Sequence, residues 1–206
     1  KSGARKDPTM AGMVAGLTKK DMEDLGAYYA AQKRSPTLVF AQEATPPTLD
    51  PYFSTSIATR NVAMHIFEQL VTRGESNQVI PELADSWKVS DDGLTYTFKI
   101  RTGVKFHNGK ELTSADVKAS FERYQRMALA RVSLAPVASM AAPDRNTFVI
   151  TLTKPQPIFM EELSAFVVPI AILPAEQADR EGNKIDMIGT GPMQFVEWVP
   201  DSHIRL

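Results

Sequence analysis

The stretch from Glu82 to Tyr124 leaves this chain few ways to fold, because it sets a hairpin, a second tight turn and a capped helix in a fixed order. Trp87 to Val89 and Thr95 to Arg101 are rich in the aromatic and β-branched residues that fit a pleated, half-buried surface. Between them, Ser90-Asp91-Asp92-Gly93 is a hairpin turn, since Asp-Gly readily takes the positive φ that such turns require. Phe106-His107-Asn108-Gly109-Lys110 predicts another tight turn, with Gly109 free to take positive φ. Thr113, followed three residues later by Asp116, caps a helix from about Ser114 to Arg126. On that helix Val117, Phe121 and Tyr124 recur at helical spacing and face a core.

The flanks are equally patterned. Ser35-Pro36 punctuates the chain, and Thr37 to Phe40 predicts a short buried strand. Pro46, Pro47 and Pro51 around Leu49-Asp50 forbid regular structure and stiffen a loop, in which Asp50 makes an Asx-type turn. Asn61 to Thr72 predicts a helix, with Val62, Ile66, Leu70, His65 and Phe67 on or near its apolar side. Asn146 to Thr153 alternates through Phe148, Ile150 and Leu152 as a strand, and Glu161 to Phe166 is expected to be helical. Gly189-Thr190-Gly191-Pro192 then turns into a closing strand, Met193 to Val199. Hairpins with inserted helices predict an α/β class fold of the mixed α+β kind, not a regular parallel alternation.

Composition narrows the function. A chain of 206 residues with 43% hydrophobic and 23% charged residues has room for one packed domain and a small appendage. A formal net charge of −1 argues against neutralising a phosphate backbone, so no nucleic-acid partner is expected. The absence of cysteine removes disulfides, thiol nucleophiles and zinc–thiolate sites. No apolar run approaches the roughly 20 residues needed to cross a bilayer; the longest, Phe166 to Leu173, is broken by Pro169. No signal peptide is visible.

Residues 1–34 have a different texture, with seven basic residues against four acidic ones. Thr18, with Asp21 three residues on, caps an expected helix from about Lys19 to Gln32, with Met22, Leu25, Tyr29 and Ala30 on its apolar face. The runs Arg5-Lys6-Asp7-Pro8-Thr9-Met10, Gly16-Leu17-Thr18 and Leu25-Gly26-Ala27-Tyr28-Tyr29 resemble the C-terminal end of a class I c-type cytochrome. That resemblance would make Met10 a haem ligand only if a haem domain were completed upstream, since the cysteine pair and proximal histidine are missing here. No cofactor is therefore expected from this chain, and Met10 and Met13 are expected to pack against apolar surface. The expected division is a cytochrome-like helical fragment at 1–34 and a second region at 35–206.

The ordered set Glu82-Leu83-Ala84-Asp85-Ser86-Trp87, Ser90 to Phe98, Gly103 to Gly109 and Leu112 to Val117 closely resembles the signature region of the family 5 bacterial solute-binding proteins. Leu49-Asp50-Pro51, Phe67-Glu68-Gln69-Leu70-Val71 and Gly189-Thr190-Gly191-Pro192 agree with that resemblance, which covers about residues 36–206. It implies a periplasmic-binding-protein-like first lobe, incomplete here, with a second lobe beyond this chain. It also implies a monomeric periplasmic receptor that takes peptides or related small solutes and hands them to the membrane subunits of an ABC importer. The alternative is a cytochrome–receptor fusion with an electron-transfer role.

By position in that family, Glu43, Ala44, Thr45 and Pro46 lie near the ligand cleft, where an acidic group suits a ligand ammonium and backbone groups pair with an extended peptide. The other striking residue types have structural readings. His65, His107 and His203 are too scattered for a metal motif, Asp91-Asp92 reads as turn chemistry, and Trp87 and Trp198 read as packed aromatics. No nucleophile–base pair, paired carboxylates or phosphate loop can be named, so no enzymatic activity is expected.

Overall fold

The structure is a computed structural model that describes residues 18, 20, 38–42, 44–180 and 185–206. The chain divides into two compact units, Lys1–Ala41 and Gln42–Leu206. The expected boundary at Arg34-Ser35, the helix expected over 19–32 and Met10 all lie outside the described residues, apart from Lys20.

A four-stranded antiparallel sheet organises the second unit. Its order is β3 (Ala84–Val89), β4 (Thr95–Ile100), β6 (Thr147–Leu152) and β5 (Val137–Asp144). The β3–β4 hairpin forms where the Asp-Gly turn predicts it, with Gly93 at φ 69°. Asp92 closes that turn by accepting from the Leu94 amide at 3.0 Å and from the Ser90 hydroxyl at 2.5 Å. Alternation decides which face is buried: Tyr96, Phe98 and Ile100 on β4 and Phe148, Ile150 and Leu152 on β6 all turn inward. Phe98 pairs directly with Phe148 across the ladder.

One helix covers that face. The helix Ser114–Met127, here α2, follows α1 (Ile57–Ile66) and lays Val117, Phe121 and Tyr124 on the sheet, with Phe121 and Phe148 ring centroids 5.0 Å apart. Asp116 caps it by accepting from the Thr113 amide at 2.9 Å and hydroxyl at 2.7 Å. Each fully buried aromatic or branched side chain here contributes about 1.5–3 kcal/mol of burial.

Several expectations shift. The helix expected over 61–72 runs Ile57–Ile66 instead: the Ser56 hydroxyl accepts from the Ala58 amide to start it early, and Phe67 is already extended. Val71–Arg73, here β1, pairs with β2 (Val79–Pro81), so the apolar Leu70-Val71 continues a hairpin and not a helix. Leu38 to Phe40 form no strand and are 85%, 85% and 72% exposed. A strand exists only with a hydrogen-bonded neighbour, and none of the described strands pairs with them. The helix expected from Glu161 is α3 (Phe159–Leu163), and α4 (Ala175–Ala178) follows a looped Phe166 to Pro174. The closing strand shrinks to β7 (Glu197–Val199), which among the described strands pairs with β8 (His203–Arg205).

Candidate functional site

The proline-rich opening loop is held by one buried ion pair. Asp50 makes the expected Asx turn, its Oδ1 accepting from the Tyr52 amide at 3.0 Å as the chain enters a 3-10 turn over Pro51–Phe53. Its Oδ2 accepts from Arg123 of α2 at 2.6 Å, and both side chains are wholly buried. The Arg123 guanidinium also lies 4.7 Å from the Tyr52 ring and 5.6 Å from the Phe53 ring. Desolvating two charges offsets much of their attraction. The pair therefore acts mainly as a geometric lock that admits one loop conformation.

Neighbouring side chains extend the lock to a second loop. Burial pushes the Tyr52 phenol well above its usual range, leaving it a hydrogen-bond donor, and it donates to the Ala171 carbonyl at 2.6 Å. Tyr124 donates to the Val168 carbonyl at 2.9 Å, and the Ser120 hydroxyl accepts from the Leu173 amide at 2.9 Å. The Thr59 hydroxyl of α1 donates to the Thr48 carbonyl at 2.6 Å, and the Leu129 amide donates to the Tyr52 carbonyl at 2.9 Å. The opening loop, the first turn of α1 and loop 164–174 are thus tied to one another by buried hydrogen bonds.

What this body presents outward is apolar with one cation. Ile57, Phe166 and Val167 are 63%, 49% and 49% exposed, and the Arg60 guanidinium lies 5.1 Å over the Phe166 ring. Ile57 and Arg60 stand one helical turn apart on α1, hence on one face. After the backbone bond at Leu129, an open depression of about 490 Å³ is lined by Gln125, Leu129, Arg131, Val132 and Ala135.

Glu43 lies outside the described residues. Ala44 and Thr45 are exposed, Pro46 is buried, and the Thr45 hydroxyl donates to Asp201 in the β7–β8 turn at 3.1 Å. Sequence reading passed over Arg60, Phe166 and Val167. Arg60 falls just before the helix start expected at Asn61, and Phe166 and Val167 look like the start of one buried apolar run. No local signal distinguishes their exposure from the burial of Ile170 to Leu173.

At the other end of α1, Gly189 and Gly191 let the chain pass against helix backbone. A Cβ on Gly189 would stand 2.0 Å from the Ile66 carbonyl oxygen, and one on Gly191 would stand 2.6 Å from that of His65. His107 staples this segment: its Nδ1 accepts from the Gly189 amide at 3.3 Å, which leaves Nε2–H to donate to the Gly191 carbonyl at 2.8 Å. His65 faces Asn61 and His203 faces Ser202 and Glu197, so the three histidines occupy separate structural positions. Trp87 and Trp198 pack against the core.

This scaffold is a known one. Residues 78–206 match the family of bacterial extracellular solute-binding proteins, family 5 Middle. The chain is 31% identical to the dipeptide-binding protein of Escherichia coli K12, over 93% of this chain and 41% of that protein. It is 35% identical to the glutathione-binding protein GsiB of Pectobacterium atrosepticum, over 82% of this chain and 33% of that protein. Among solved structures, the binding protein AgaA of Agrobacterium tumefaciens R10 with agropinic acid has a TM-score of 0.67 at 34% identity, covering 75% of this chain and 32% of that one. NikA of Brucella suis with Fe(III)-EDTA has a TM-score of 0.74 at 28% identity, covering 82% of this chain and 35% of that one. The chain belongs to the family 5 extracellular solute-binding proteins, a family of extracytoplasmic receptors and not of enzymes. It spans 32% to 41% of the length of these relatives.

Proposed function

We propose that the chain is part of the solute-receiving component of an ABC importer, working in the periplasm or its equivalent outside the cytoplasmic membrane. Its ligand is a peptide or related small solute, and its partners are the importer's membrane subunits. The observation that carries this reading is the family match over residues 78–206, supported by relatives whose names specify dipeptides and glutathione. The ligands named for these relatives, agropinic acid and EDTA included, share carboxylates. The proposed solute therefore bears a carboxylate.

In this reading residues 35–206 belong to the first lobe and residues 1–34 are an appendage, and the receptor works as a monomer. In this reading Glu43, Ala44, Thr45 and Pro46 line the solute site, and the described face supplies one of its walls. A ligand closes a two-lobed receptor only by contacting both walls, because differential affinity for the closed state shifts the population. The isolated 206-residue chain is therefore expected to show no calorimetric heat with dipeptides at micromolar concentration. The whole product of its gene is expected to bind a carboxylate-bearing solute. Micromolar binding by the isolated chain would sink the two-wall reading.

A further inference from the structure

We infer that Arg60, stacked on Phe166, is this chain's anchor for the carboxylate of its solute, which rests on the receptor reading above. Among the described residues, Arg60 is the one arginine whose guanidinium makes no hydrogen bond or ion pair. Arg73, Arg126 and Arg131 donate to backbone carbonyls, and the other five described arginines bond carboxylates. A guanidinium is a planar fork of five donors that matches a carboxylate bidentately and keeps its charge at any working pH. Leaving that fork unused, half-buried on a protein surface, gives up interactions that the other arginines make.

Its position is determined by stacking. The guanidinium carbon lies 5.1 Å from the centroid of the Phe166 ring, within the range of a cation–π contact, and the side chain is only half-buried. The ring in turn belongs to a loop pinned by Tyr124 at the Val168 carbonyl and by Tyr52 at the Ala171 carbonyl. The aromatic side of the pair is therefore fixed before any ligand arrives, which lowers the ordering cost of binding. Exposed Ile57 and Val167 flank it. That combination, a guanidinium with an unused fork of donors beside exposed apolar side chains, suits a carboxylate whose neighbouring substituent is apolar. A peptide C-terminus with an apolar last residue fits this description.

The test is calorimetry on the whole gene product with Ala-Leu, Ala-Leu amide, glutathione and Fe(III)-EDTA. At least one of the three carboxylate probes is expected to bind the wild type. Arg60→Gln is expected to weaken that binding about ten- to a hundredfold, as loss of a charge-assisted hydrogen-bonded pair does. Arg60→Lys, which keeps the charge but not the fork, is expected to recover only part of it. Ala-Leu amide should bind no better to wild type than Ala-Leu binds to Arg60→Gln. Because the stack on Phe166 is the one side-chain contact described for Arg60, the variant's unfolding midpoint should fall only slightly and Arg60→Lys should restore it, which separates lost anchoring from lost fold. Unchanged affinity in Arg60→Gln overturns the anchor and leaves the receptor reading intact. Failure of every carboxylate probe to bind the wild type overturns both.

Discussion

The outer sheet and the opening-loop body are both well packed, yet they are held in different ways. In the sheet, β3 pairs with β4 and β5 with β6 across short turns, so those two registers are set by neighbours in sequence, and β4–β6 joins the two hairpins through a continuous backbone ladder. The opening-loop body is tied by side chains that reach across 73 residues from Asp50 to Arg123 and 119 residues from Tyr52 to Ala171. Local hairpins tolerate the loss of one contact, because the rest of the ladder maintains register. A loop with no ladder depends on a few side chains, each of which leaves a buried partner orphaned when removed. The candidate ligand face is built on the second kind.

That contrast is sharpest at Arg123. Arg123→Met is expected to lower stability by about 3–5 kcal/mol, because it strands a buried carboxylate. The double variant Asp50→Leu with Arg123→Met should recover most of that loss. Urea unfolding at constant slope reads both, and a loss near zero in the single variant would break the comparison. Tyr52→Phe removes the donor to Ala171 and should cost about 1–3 kcal/mol. Its chemical shifts should change around 166–173 and not in β3–β6; changes confined to the sheet would argue against the lock.

In the sheet itself, Gly93→Ala forces a Cβ into φ 69° and should cost roughly 1–2 kcal/mol while leaving ligand affinity unaltered. A larger effect on binding than on stability would show that the two regions are coupled. The smallest effect is expected at their seam, where the Glu82 carboxylate accepts from the Gln69 amide at 2.7 Å between the linker after α1 and the start of β3. Burial, with Glu68 adding repulsion, pushes Glu82 from 4.5 up to about 7. The fold therefore takes up a proton that the unfolded chain releases. This stability is present below pH about 4.5 and is lost as pH rises through about 7. Glu82→Gln keeps the acceptor without the charge, and should raise stability at pH 8 by about 1 kcal/mol once partial exposure is allowed for. Identical pH profiles for variant and wild type over that window would refute it.

The hairpin, the Asn-Gly turn and the α2 cap were legible from Ser90 to Tyr124 because each depends on residues within about four positions of one another. Helical spacing also named Phe121, and strand alternation Phe148, as core residues, and both are buried. The Asp50 turn was legible for the same reason, since its acceptor and the Tyr52 amide are two residues apart. Its second partner was not, because nothing near Arg123 marks it for a buried carboxylate.

The residues nearest the candidate ligand face were the hardest to read. Whether Phe166 is exposed or buried depends on where Tyr124 and Tyr52 pin its loop, and whether Arg60 pairs or stays free depends on what the fold brings beside it. Leu38 to Phe40 show the same limit: strand propensity lies in the residues, but a strand needs a neighbour. Short-range chemistry, turns, caps and alternation, was encoded along the chain and gave the scaffold and its family. Long-range pairing across the fold assembled the candidate ligand face, since desolvation and hydrogen-bond partners exist only once distant segments meet.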